Sequence, residues 1–173
     1  MQHSLFIDSD PNLAGALLVR EPGGAVRPAQ RREILAVARE LVTVDKPLGK
    51  NLSKPEMVKN FLQLRLAGLE HEVCGLILLN TRMHLITYLE PFRGTLNQAQ
   101  AYPREVLKLV LRYNAAAVML VHNHPSGVDE ASTADIRFTQ IIRNALALID
   151  VRLVDHLIVA GARVISMAEA GLI

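Results

Sequence analysis

Two histidines one residue apart, His122 and His124, are followed by Ser132 and Asp135 in the order H-x-H-x(7)-S-x(2)-D. The pair closes an apolar run, Ala115 to Val121, whose composition predicts a fully buried strand. Side chains alternate along a strand, so His122 and His124 share a face and can bind one metal ion, with Asn123 on the opposite face. Asp135 falls in the first turn of the next predicted helix, within reach of the same ion. Two imidazoles and one carboxylate leave a fourth tetrahedral position open to water, the donor set of a catalytic zinc site and not of a closed structural one. The same residues have a plainer use. Ser132-x-x-Asp135 before an amphipathic stretch is also a helix-capping signature, and Pro125-Ser126-Gly127 is ordinary turn chemistry. Both uses of Ser132 are compatible, since its backbone can start a helix while its hydroxyl faces the site.

A hydrolytic metal site also needs a proton acceptor. Glu72 opens the apolar run Glu72 to Asn80, and a carboxylate at the mouth of an adjacent strand can take a proton from the attacking water. Zinc lowers the pKa of its water from about 15.7 to about 7, so the base has a modest task. Glu70 is the alternative base, two residues earlier, and a solvated charge at a strand start is the structural alternative for Glu72. His156, at the start of another apolar strand, is either a partner near the metal or a surface or core histidine. His3, His71 and His84 have no ligand spacing.

The elements that would carry these residues follow an α/β order. Residues 31–43 read as a helix, and Pro47 to Gly49 as a linker. Ser53-Lys54-Pro55-Glu56 is a capping box opening a helix to about Ala67. Strands are expected at 72–79 and 84–91, joined by a short polar turn, a hairpin-like arrangement. A helix over 103–114 leads to the histidine-bearing strand at 116–123. A helix over 133–148 and strands at 152–160 and 163–167, turning at Gly161, close the chain. This order predicts a mixed sheet flanked by helices. Residues 1–50 are expected as an N-terminal extension with one helix, and 51–173 as the domain bearing the site.

Half of the 173 residues are apolar, enough for one core of ordinary size. Basic and acidic residues nearly cancel, 7 against 6 in residues 1–50 and 12 against 11 afterwards, which argues against a general nucleic-acid surface. Two local basic groups, Arg27 with Arg31 and Arg32, and Arg104 with Lys108 and Arg112, read as solvated faces or as contacts for an anionic partner. Cys74 is the only cysteine, so no internal disulfide is possible, and its apolar setting predicts a buried, inert thiol. There is no basic leader and no run of about 20 apolar residues, so a cytoplasmic location without membrane contact is the expectation. Other metal and phosphate chemistries fail on absent residues: there is no H-E-x-x-H, no P-C-x-x-C pair and no Gly-rich phosphate loop. The pattern H-x-H-x-D-H fails because Ser126 and Gly127 stand at its last two positions.

The Glu72-x-Cys74-Gly75 start, the His122-x-His124 pair and the Ser132-x-x-Asp135 close resemble the JAMM (MPN-plus, JAB domain) zinc metalloproteases. Phe92 to Thr95, Tyr102 to Val106, His122 to Gly127 and Asp155 to Val159 are closer to the RadC-like bacterial branch, and the resemblance covers about residues 50–173. It implies an α/β fold of the cytidine-deaminase-like MPN/JAB type. It also implies one zinc ion per chain held by His122, His124 and Asp135, with Glu72 as general base and Ser132 donating to the developing oxyanion. The implied substrate is a peptide or protein cut at an amide or isopeptide bond. Longer members of that branch carry a helix-hairpin-helix region associated with DNA contact, and no such pair of hairpins is found in residues 1–50, so the chain reads as the short form. Two functions remain open, a zinc-dependent peptidase and a non-catalytic MPN-fold binding module for a protein partner or DNA.

Overall fold

A computed structural model describes residues 5–7, 17–21, 23–43, 55–94 and 102–173. The chain divides into two compact units, Met1–Pro47 and Leu48–Ile173. In the first unit, β1 (Leu5–Ile7), β2 (Leu17–Arg20) and β3 (Val26–Pro28) form an antiparallel sheet in that order, followed by α1 (Arg31–Thr43). The sequence reading gave this region one helix. The three strands, of three or four residues each, are an addition. Arg27 on β3 is bound to Glu33 at 2.7 Å and to Glu21 at 2.8 Å, so one member of the expected basic cluster already has its anions. The Arg27 guanidinium, with the Gln30 backbone amide, lowers the Glu33 carboxyl to about 2.

The second unit contains α2 (Pro55–Leu66), β4 (Val73–Leu79), β5 (Leu85–Arg93), α3 (Pro103–Arg112), β6 (Ala117–Asn123), α4 (Thr133–Ala147), β7 (Arg152–Ala160) and β8 (Arg163–Ser166). Its five-stranded sheet has the order β5-β4-β6-β7-β8. The β6–β7 pair is parallel and the other pairs are antiparallel, giving the mixed α/β sheet expected from the sequence. The parallel pair needs a crossover, and α4 supplies it. Pro47 to Gly49 and the capping box at Ser53 lie outside the described residues.

Every residue of β4 is buried, as its unbroken apolar sequence requires of a central strand. Cys74, Leu76 and Leu78 of β4 and Val118 and Leu120 of β6 lie in one cluster with Val106 and Val110 of α3 and Ile142 and Leu146 of α4. Each fully buried leucine or isoleucine stabilises the fold by about 1.5–3 kcal/mol. Tyr88 pairs with Ile77 on the other face, where Phe61 of α2 meets its ring edge-on at 5.3 Å. The sheet is therefore covered by α3 and α4 on one side and by α2 on the other. The helix expected over 103–114 stops at Arg112 because Asn114 takes a left-handed φ of 48° and turns the chain into β6.

Candidate metal centre

The alternation that buries Val118 and Leu120 against α3 and α4 carries His122 onto the same face. The backbone amide of His124 continues the pairing by donating to the Val159 carbonyl at 2.9 Å. On α4, Ile142 and Leu146 face the core, and the same stripe one and two turns earlier presents Thr139 and Asp135, both buried. The core thus changes from apolar to polar at one end, where strand and helix still face each other.

His122, His124 and Asp135 offer one ligand atom each, all within 4.8 Å of one another. The two Nε2 atoms are 2.9 Å apart. His122 Nε2 is 3.2 Å from Asp135 Oδ1, and His124 Nε2 is 3.5 Å from Asp135 Oδ2. The donor chemistry fits a cation. His124 donates its Nδ1 proton to the Val128 carbonyl at 2.7 Å, which leaves a lone pair on Nε2. Asp135 Oδ1 is buried with no hydrogen-bond donor. Three electron-rich atoms therefore converge on a point where a divalent ion would satisfy all of them. His122 and Asp135 are buried while His124 is only partly so, and access to the site is on the His124 side.

Ser132 does what its capping signature foretells. It is the N-cap of α4, its Oγ accepts from the Asp135 amide at 3.1 Å, and its backbone amide donates to Asp135 Oδ2 at 2.7 Å. Its hydroxyl also donates to Oδ2, at 2.6 Å. Burial works to raise the Asp135 carboxyl, but the His122 ring and these Ser132 bonds outweigh it and hold the group well below the usual carboxylate range. The hydroxyl proton is therefore engaged with the Asp135 carboxylate and not turned toward open space.

Glu72 stands one residue before β4 and is half-buried, whereas Glu70 is exposed. Cys74 faces His122 in the antiparallel register, so continuing by two residues sets Glu72 opposite His124. Its carbonyl accepts from the Gly94 amide at 2.9 Å. Asn123, on the far face of β6, reaches the same segment through its side chain: Oδ1 accepts from the Val73 amide at 2.7 Å and Nδ2 donates to the His71 carbonyl at 3.0 Å. The loop that follows the histidines is tied down by the His124–Val128 bond and by an ion pair between Asp129 and Arg163. The expected basic stripe on α3 is partly neutralised, since Glu105 pairs with both Arg104 and Lys108.

Cys74 is buried, and its thiol is pushed up to about 12, by desolvation first and then by the Asp135 charge. His156 is no surface residue. It is fully buried, with Nε2 2.8 Å from His122 Nδ1 and Nδ1 2.6 Å from Thr139 Oγ1. Desolvation keeps its ring well below the ordinary histidine range. Thr139 passed unnoticed in the sequence, although its place one turn after Asp135 was the available signal.

A family model described as the RadC-like JAB domain matches residues 52–172. A UPF0758 protein of Methylibium petroleiphilum is 49% identical over 152 residues, covering 84% of this chain and 67% of the relative. Another, of Idiomarina loihiensis, is 43% identical over 173 residues, covering 95% of this chain and 77% of the relative. With a match over most of its length and relatives at this identity, the chain belongs to the RadC-like JAB-domain family.

Proposed function

We propose that the chain is a zinc-dependent hydrolase of amide bonds, acting on a peptide or isopeptide. The observation that carries this reading is the convergence of His122 Nε2, His124 Nε2 and the donorless Asp135 Oδ1 beside a partly open edge, with Glu72 at the mouth of the adjoining strand. Zinc held by His122, His124 and Asp135 would supply a Lewis acid that acidifies water and polarises the scissile carbonyl. Glu72 takes the proton of the attacking water and returns it to the leaving amine. For Ser132 to donate to the developing oxyanion, its hydroxyl must rotate away from Asp135 Oδ2, leaving that oxygen with the Ser132 backbone amide. A correctly placed donor of this kind contributes a few kcal/mol to the rate.

Metal content is the first test. The purified chain should carry about one zinc, and His124→Ala should lose it. Glu72→Gln should keep the zinc and lose turnover of peptide and isopeptide substrates. A cellular or biochemical activity that survives Glu72→Gln unchanged belongs to a binding module of the same fold and not to a hydrolase. Negligible metal in both wild type and His124→Ala, even after zinc is supplied, would sink the proposal.

A further inference from the structure

Behind the ligands runs a buried chain of hydrogen bonds whose direction follows from counting protons. Thr139 Oγ1 lies 2.6 Å from the Asp135 backbone carbonyl, inside the range of true O–H···O bonds. A carbonyl has no proton to give, so the single hydroxyl proton of Thr139 lies in that contact. The Met167 sulfur at 3.7 Å is only a weak alternative acceptor. Toward His156 Nδ1, also 2.6 Å away, the Thr139 oxygen can then only accept, which places a proton on Nδ1. An imidazole whose one proton sits on Nδ1 has its lone pair on Nε2. That lone pair accepts from His122 Nδ1 at 2.8 Å. His122 is left with its own lone pair on Nε2, the atom that faces Asp135 and His124.

His156 is itself rigidly mounted. Its backbone amide donates to Asp155 Oδ1 at 2.7 Å, its carbonyl accepts from Met167, and Asp155 Oδ2 accepts from Ser166 at 2.6 Å. We infer that His156 and Thr139 are positioning residues of the metal centre. Together they form a one-way relay from ligand His122 to the backbone of ligand Asp135 that fixes the His122 tautomer and aims its Nε2 at the ion. This rests on the reading of the site as a metal centre.

Long-range proton–nitrogen correlation spectra of the metal-free wild-type chain read the tautomers directly. The expected result is a proton on Nδ1 of both His122 and His156, with His156 Nε2 bare. A proton on His156 Nε2 reverses the relay and overturns the inference. Zinc affinity, measured by competition with a chelator, provides the second arm. Thr139→Val is nearly isosteric and should weaken zinc binding about 10–100-fold, while Thr139→Ser, which keeps the hydroxyl, should stay within roughly twofold of wild type. A folded Thr139→Val chain that binds zinc like wild type overturns the inference. If Thr139→Val does not fold, the wild-type spectrum alone decides. A wild-type chain that takes up no zinc defeats the hydrolase proposal, and the spectrum of that same chain still decides the direction of the relay.

Discussion

Gly75 and Tyr88 are packed so closely that a Cβ on Gly75 would stand 2.9 Å from the phenol oxygen and 3.1 Å from the Leu89 carbonyl. The glycine is in the middle of the buried strand β4, beside Cys74 and opposite Val121 of β6. The Leu89 carbonyl cannot give way without shifting β5, and the Tyr88 ring is backed by Phe61. Gly75→Ala should therefore destabilise the chain by about 1–3 kcal/mol, the usual cost of overpacking. Urea unfolding measures this, and an unchanged midpoint would show that β5 yields freely.

Asn123 is the second mechanical element near the site, since it clasps the residues on either side of Glu72. Asn123→Ala leaves the Val73 amide and the His71 carbonyl without their partner, at a cost of about 1–3 kcal/mol for each group that stays buried. All three metal ligands are retained, so the variant should bind zinc with near wild-type stoichiometry. On the proposed hydrolase reading, activity should fall at least about tenfold, because Glu72, the proposed general base, loses its fixed place. Loss of zinc in step with activity would contradict this separation of roles.

The Cys74 thiol provides a test of packing around the ligand face. With its pKa raised to about 12, chiefly by desolvation, it stays a thiol and a poor nucleophile at pH 8. Alkylation of the native chain should be slower by orders of magnitude than in denaturant, where the single cysteine reacts at the ordinary rate. Rapid labelling of the native chain at pH 8 would place this end of β4 in contact with solvent.

Acid should act on the metal-free chain through Asp135. The folded carboxyl lies below its unfolded value, so its contribution to stability is fully present above about pH 4 and is lost progressively as the pH falls below that. The stability of wild type should drop more steeply on this acid limb than that of Asp135→Asn. Parallel limbs in urea titrations at a series of pH values would remove Asp135 from the account.

Much of this was legible in the sequence because two periods are visible there. The period of two set His122 and His124 on one face, and the cap at Ser132 set Asp135 in the first turn of α4. Apolar runs gave β4, β6 and β7, the polar turn after β4 gave β5, and the turn at Gly161 gave β8. Strands β1 to β3 escaped because each has three or four residues and none follows a long apolar strand through a turn, as β8 follows β7 at Gly161. His156 stayed undecided between metal partner, core and surface because its partner is 34 residues away, on a strand joined only by the α4 crossover. Asn123 was read only as the residue between two ligands. Its bond to the segment around Glu72 depends on a strand register that no local pattern encodes.

The parallel pairing of β6 with β7 carries a consequence for assembly. Synthesis runs from the N-terminus, so all three ligand positions exist before residue 156 has been made. A fragment ending after α4 would hold the candidate ligands but not His156, the side chain proposed to orient the first of them. On the proposed reading, coordination in its final form is a late event, completed when β7 docks beside β6, and tight metal uptake would report that the sheet has closed.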